Sequence, residues 1–247
     1  MTSEMVLELE NVTKLYKNGR GVEDISFTLA SGEVLGLLGP NGSGKTTTMK
    51  AVVGMVRAQS GTIRICGTDA LENREEAMSH VGCLIEAPAL YDYMTAEQNL
   101  ELAAKFYKDV DGRRINEVLY MVDMHKYKND KVRSFSLGMR QRVGFAAALI
   151  NRPRLLILDE PANALDIEGM MYVRQVIKAA SAEGSSVLIS SHLANEIQQC
   201  ATKAAVMHSG RLLGLDSMDA ILVSHEGLEG FFLHEVSKHR GFGGMGA

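Results

Sequence analysis

No apolar run in this 247-residue chain approaches the roughly 18 residues that a membrane-crossing helix needs. The segment from Met1 to Glu8 lacks a basic stretch followed by an apolar one, so no secretory leader is legible. The three cysteines, Cys66, Cys83 and Cys200, are odd in number and scattered. That excludes a disulfide framework and a metal-ligand spacing, and buried free thiols are expected. Basic residues are not in excess either. The formal net charge is −4, so nucleic acid is not an expected partner. No internal repeat is visible. These absences together predict a soluble, cytoplasmic chain. Hydrophobic residues make up 46% of it, enough for a full core, and the length suits one α/β unit with an insertion.

Residues 39 to 46 carry the strongest positive signal. They read Gly39, Pro40, Asn41, Gly42, Ser43, Gly44, Lys45, Thr46 and match the phosphate-loop pattern G-x-x-x-x-G-K-[ST] at every fixed position. The apolar run Val34 to Leu38 before them reads as a buried strand, and Thr46 to Val53 after them as a helix that includes Thr47. A strand, a Gly-rich turn and a helix start gather backbone N–H groups and the positive end of a helix dipole at one point. Gly39, Gly42 and Gly44 let the chain curl without side chains blocking an anion. By the chemistry of the motif, Lys45 reaches the β- and γ-phosphates and the Thr46 hydroxyl sits on Mg²⁺. The competing view, a flexible loop with a chance Lys-Thr, does not explain the strand and helix on either side.

Elsewhere the chain divides into three textures. Residues 5 to 33 are β-rich, with turns marked by Gly19, Gly21 and the pair Ser31, Gly32, and residues 61 to 67 form another short strand. Residues from about 90 to 152 read as a helical insertion, beginning at Thr95 to Asn99 with acid in the first turn and broken near 109–112 and 126–130. Leu155 to Leu158 and Ser186 to Ser190 are apolar on both faces, as strands of a covered parallel sheet are. Gly241 to Ala247 is Gly-rich, and disorder is expected there.

The first of those two late strands ends in paired acids, Asp159 and Glu160. Such a strand delivers them to the carboxyl edge of the sheet, beside the phosphate loop. Asp159 suits a metal contact, and Glu160 suits polarisation of an attacking water. His192 follows the next strand. A lone histidine at a strand end is commonly structural, but this one lies at the same sheet edge and suits the γ-phosphate and the water.

Taken in order, these segments resemble the ATP-binding subunits of ABC transporters over residues ~5 to ~220. The most specific segment is Ser134 to Arg142, which is similar to the ABC signature. Phe135, Ser136 and Gly138 take its first, second and fourth positions, while Leu137 and Met139 depart from it. Ser136 is a good N-cap for a helix over Met139 to Ile150. The resemblance implies that this helix faces the γ-phosphate held by a second subunit. It also implies that Tyr16 stacks on adenine and that Asp166, in the loop Ala162, Asn163, Ala164, Leu165, Asp166, belongs to the ATP site. Ala162 replaces the usual Thr or Ser there. Glu86 stands where the family has Gln, and the resemblance makes it a Mg²⁺ contact with Thr46 and Asp159. Residues 84 to 91 and 135 to 142 resemble the bacitracin and lantibiotic resistance branch.

The implied fold is a P-loop NTPase with a RecA-like α/β core, an N-terminal antiparallel β subdomain and an inserted α-helical subdomain. The expected ATP-binding domain covers 1–220, followed by a partly disordered extension over 221–247. The implied function is an ATPase motor working as a homodimer or heterodimer. It binds ATP and Mg²⁺ head to tail on the cytoplasmic face of the membrane and drives an integral-membrane permease subunit that exports antimicrobial peptides or drugs. A soluble non-transport ABC ATPase and an importer motor are the alternative readings.

Overall fold

A computed structural model describes residues 4–163 and 165–243, the last four of these for the backbone alone. Two sheets and two groups of helices make up the fold. The first sheet is antiparallel, in the order β2 (Gly21–Ala30), β1 (Met5–Leu15), β4 (Ser60–Ile65), β5 (Thr68–Asp69). The second contains β3 (Val34–Leu38), β6 (Val81–Leu84), β7 (Leu155–Asp159), β8 (Ser186–Ser191), β9 (Lys203–His208) and β10 (Arg211–Ser217). Its order is β10-β9-β3-β8-β7-β6, parallel throughout except for β10 at one edge.

The central strands are buried on both faces, and the pleat of period two sends alternate residues into two different cores. Leu35, Leu37, Leu155, Ile157, Leu188, Ala205 and Met207 face the antiparallel sheet, where they meet Val6, Leu9, Ile25 and Ile63. Met49 and Val52 of α1 (Lys45–Val52) close that layer. Leu156, Leu158, Val187, Ile189, Ala204 and Val206 face the opposite way, toward the helices. An uninterrupted apolar run at 155–158 is therefore required by two cores.

The short helix α2 (Arg74–Ser79) precedes β6. The inserted region holds α3 (Ala96–Ala104), α4 (Gly112–Met121) and α5 (Leu137–Leu149). The expected helix start at Thr95 is a complete capping box: Thr95 Oγ1 accepts from Gln98 N–H, and Gln98 Oε1 accepts from Thr95 N–H. Helix α6 (Ile167–Ala182) links β7 to β8, and α7 (Ala194–Gln198) follows β8.

Two expectations are corrected. Where the sequence suggests a partly disordered extension over 221–247, α8 (Met218–Ser224) and α9 (Gly227–Gly243) continue the fold. Leu228, Phe231 and Val236 share a face of α9 and are buried in the helical-side core, which orders the segment. Residues 244–247 lie outside the described residues. The thiols are free, but Cys83 is exposed and Cys66 and Cys200 are half-buried, so they are not sealed in the core.

Candidate functional site: the carboxyl edge of the parallel sheet

Strand register places the site. Leu38 pairs with Ser191, and Asp159 pairs with Ser190. Gly39, Glu160 and His192 are each the first residue beyond β3, β7 and β8, so three separate segments of the chain emerge side by side at one edge.

The phosphate loop has the form its sequence predicts. Gly44 has φ 108°, and a Cβ there would lie 2.4 Å from Val22 Cγ1, so only glycine fits. Gly44 occupies the N-cap position of α1 and supplies no side-chain cap, which leaves the helix's first N–H groups open to an anion. Gly39 packs where a Cβ would meet Met207 O at 2.2 Å. Pro40, Asn41 and Gly42 form the exposed rim, Thr46 and Thr47 are half-buried, and Ser43 and Lys45 are buried. Ser43 Oγ is buried without a hydrogen-bond partner, the kind of orphan group that a bound phosphate oxygen satisfies.

Lys45 Nζ donates to Gly39 O at 2.7 Å and Pro40 O at 3.3 Å, and lies 3.2 Å from Glu160 Oε1. That last contact is an ion pair without hydrogen-bond geometry. The other oxygen, Glu160 Oε2, is 2.8 Å from His192 Nδ1. Glu160 has φ 47°, a conformation that costs a non-glycine residue energy and is held here by its surroundings. One of those surroundings is Ser190, to which the sequence reading gives no role. Its Oγ accepts from Glu160 N–H at 2.9 Å and donates to Asp159 Oδ1 at 2.6 Å. Thr46 Oγ1 donates to Asp159 Oδ2 at 2.8 Å. Asp159 is thus buried with both oxygens satisfied, beside the helix start.

Among the described residues no group of three or more His, Cys, Asp or Glu could hold a metal ion by itself. The donor set is a hydroxyl and one or two carboxylates, which suits Mg²⁺ held jointly with substrate phosphates and waters. Thr46 and Asp159 fit that role.

Glu86, Tyr16 and Asp166 make no hydrogen bond to the phosphate loop among the described residues. Glu86 lies two residues past β6 with φ 62°, and its carboxylate engages Lys50 rather than Thr46 or Asp159, with Nζ to Oε1 at 2.6 Å. Lys50 is absent from the sequence-derived site, although its place four residues after Thr46 on α1 puts both on one face. Its ammonium is held above the ordinary lysine range. The hydrogen bond to Glu86 is the largest cause, burial opposes it, and charge at Glu86, Tyr16 and Asp159 adds to it. Tyr16 is 40% exposed, a free aromatic face at the rim, with the Lys14 ammonium 5.5 Å from its ring centroid. Asp166 caps α6 by accepting from Gly169 N–H at 2.8 Å, and among the described residues it makes no hydrogen bond to the phosphate loop. Ala164, in the same loop, lies outside the described residues.

The signature helix α5 starts two residues earlier than expected, because Ser136 is its N-cap and accepts from Met139 N–H at 3.3 Å. Ser136 is exposed, and a Cβ on Gly138 would meet nothing within 4 Å. Among the described residues neither hydrogen-bonds to the phosphate loop of its own chain. Helix α5 is tied to its surroundings by Gln141 Nε2, which donates to Pro161 O, and by Arg140 Nη1, 2.6 Å from Asp92 Oδ1.

A phosphate loop opening a helix, with a buried lysine and adjacent strand-end acids, defines a P-loop NTPase. Residues 22–163 match the family described as ABC transporter. The chain is 41% identical over 214 residues to the bacitracin transport ATP-binding protein BcrA of Enterococcus faecalis, covering 86% of this chain and 70% of that one. It is 33% identical over 231 residues to the lantibiotic transport ATP-binding protein SrtF of Streptococcus pyogenes, covering 94% and 97%. A solved ATP-binding subunit of an ABC transporter superposes with TM-score 0.85 at 26% identity, over 94% of this chain and 99% of that one. A dimeric ATP-binding cassette in a post-hydrolysis state, bound to ADP and Pi, gives 0.76 at 25% identity, over 85% and 98%. The chain belongs to the ABC transporter family, as an ATP-binding subunit with the fold of its ATPase domains.

Proposed function

We propose that this ATPase binds and hydrolyses MgATP at two head-to-tail sites of a dimer and drives a separate integral-membrane permease subunit that exports antimicrobial peptides or drugs. The observation that carries the reading is the arrangement around Glu160. Its carboxylate lies between a buried cation, Lys45, and the imidazole of His192, at the mouth of an uncapped helix start. Tyr16 supplies the face for adenine. The loop from Gly39 to Thr47 holds the phosphates, and Lys45 counters their charge. Thr46 and Asp159 hold Mg²⁺, with Glu86 at its margin, and the ion when bound neutralises charge on the phosphates. Glu160 accepts a proton from the attacking water, and His192 orients that water and the γ-phosphate.

Ser136 and Gly138 support the dimer. They present an exposed helix N-terminus that, among the described residues, makes no hydrogen bond to the phosphate loop of its own chain, which supports a site completed by a second copy. Asp166, at the start of α6, belongs to the same face in this reading. The loop after Glu86 supports the permease partner. Tyr91 and Tyr93 are 48% and 67% exposed, with ring centroids 5.8 Å apart. Asn99 pins Tyr91 through both N–H and C=O, and Arg140 ties Asp92 to α5, so displacement of this loop is passed to the signature helix. No helix among the described residues is long and apolar enough to cross a membrane, so the reading needs a partner that does. The named activities of BcrA and SrtF favour a peptide cargo.

The test is affinity capture of the tagged chain from detergent-solubilised membranes of its own cells. The expected result is a multi-span membrane protein, captured less well when Tyr93 is changed to Asp. Capture of ribosomes or of a soluble macromolecular complex, with no multi-span protein, favours the non-transport reading. A co-captured extracytoplasmic binding protein favours an importer.

A further inference from the structure

Two carboxylates at the sheet edge sit in left-handed backbone just past their strands. Glu160 faces Lys45, the lysine of the phosphate loop. Glu86 faces Lys50, five residues further along α1. Helix α1 therefore presents two ammonium groups, each to its own glutamate, with Thr46 and its partner Asp159 beside them. Lys50 is three-quarters buried and lies four residues after Thr46 on α1, on the same face, which puts its pair with Glu86 at the edge of the nucleotide site.

A bare carboxylate at this position has opposite effects on the two forms of ATP. It attracts the divalent cation of MgATP and repels the phosphates of metal-free ATP. Paired with an ammonium at 2.6 Å, it does neither strongly. We propose that Lys50 is a positioning residue for Glu86, holding the carboxylate in a near-neutral pair at the rim of the site, and that this pair sets how strongly ATP binding depends on the divalent cation. The proposal rests on reading residues 39–46, 159 and 160 as the MgATP site.

Losing the Lys50 cation leaves Glu86 uncompensated, so Lys50→Met weakens metal-free ATP more than MgATP. In a Glu86→Gln background there is no carboxylate to release. Lys50→Met then removes only the general attraction of an ammonium for phosphate, and its effect on the metal dependence is smaller. The difference between the two backgrounds is the coupling between the residues. For a partly exposed pair it amounts to roughly two- to fivefold in the ratio of the two affinities and shrinks at high salt.

The experiment is isothermal titration of a non-hydrolysable ATP analogue into the full chain, Lys50→Met, Glu86→Gln and the double variant, each with Mg²⁺ and with EDTA. The expected result is a rise in the EDTA-to-Mg²⁺ Kd ratio on Lys50→Met that is at least twofold larger with Glu86 than with Gln at that position. Lys50→Arg, which keeps the cation, should restore the parent ratio. If Lys50→Met does not fold, the exchanged pair Lys50→Glu with Glu86→Lys carries the test and should recover a ratio lost in Glu86→Lys alone. Equal effects of Lys50→Met in both backgrounds, or no recovery in the exchanged pair, overturn the proposal while leaving the ATP site intact. A parent chain that binds the analogue in neither condition overturns the site reading and this proposal with it.

Discussion

Glu160 Oε2 lies 2.8 Å from His192 Nδ1, and each residue is the first beyond its strand, β7 and β8. The two strands are adjacent, with Asp159 opposite Ser190, so the contact is built into the sheet rather than into a flexible loop. Lys45 approaches the other Glu160 oxygen. The carboxylate is therefore held on both sides by residues of the chain itself.

Replacing Glu160 with Gln separates binding from hydrolysis. The amide is similar in size but cannot accept the water's proton, so turnover should fall by roughly 10²- to 10⁴-fold. MgATP binding should persist. If the dimer is the hydrolysing form, MgATP should shift this variant to a larger species in size-exclusion chromatography. Normal turnover would remove Glu160 from the base role, and a strictly monomeric profile at high concentration would count against the head-to-tail site.

Lys45→Ala should nearly abolish ATP binding and turnover. Among the described residues, the variant loses the only cation placed against the loop carbonyls Gly39 O and Pro40 O, and it leaves Glu160 facing the phosphates without compensation. Nucleotide titration is the direct check, and an affinity near that of the parent would be incompatible with the assignment.

Ser190→Ala tests the group that joins the two acids. Ser190 is fully buried, so truncation leaves the Glu160 N–H and one Asp159 oxygen without this partner. The cost should be about 1–3 kcal/mol, lowering Tm by about 2–4 °C per kcal/mol. Turnover should drop as well, because Glu160 loses a constraint on its strained backbone. A variant with parent Tm and parent turnover would show that the hydrogen bonds are dispensable.

Phe231→Ala tests whether the carboxyl-terminal helix belongs to the core. The ring is 5% exposed within the helical-side cluster, so its removal should cost about 3–5 kcal/mol. Leu233→Ala, on the exposed face of the same helix, should change little. Equal, small effects from both in thermal denaturation would mean that α9 is not docked as described.

The sequence by itself determined the chemistry and most of the framework. The octet at 39–46 specifies its own conformation, since Gly44 needs left-handed backbone and the helix must begin at Lys45. The apolar run before Asp159 and Glu160 marks a strand buried on both faces, and the capping box at Thr95 marks a helix start. Each of these is a local pattern, readable within a few residues. Tertiary structure decided the pairings. The Thr46–Asp159 bond spans 113 positions and the Glu160–His192 contact spans 32, and only strand order and register bring them together. Ser190 looks like any strand-end serine until Asp159 is placed opposite it. The family resemblance makes Glu86 a metal contact, yet its carboxylate meets Lys50 of α1. Asp166 likewise spends its oxygen on a helix cap. Helix α9 escaped the sequence reading because its apolar face has meaning only once the face of the sheet it covers exists. Local patterns fix which groups are available. Which cation meets which carboxylate depends on distances between segments far apart in the chain, and those exist only after folding.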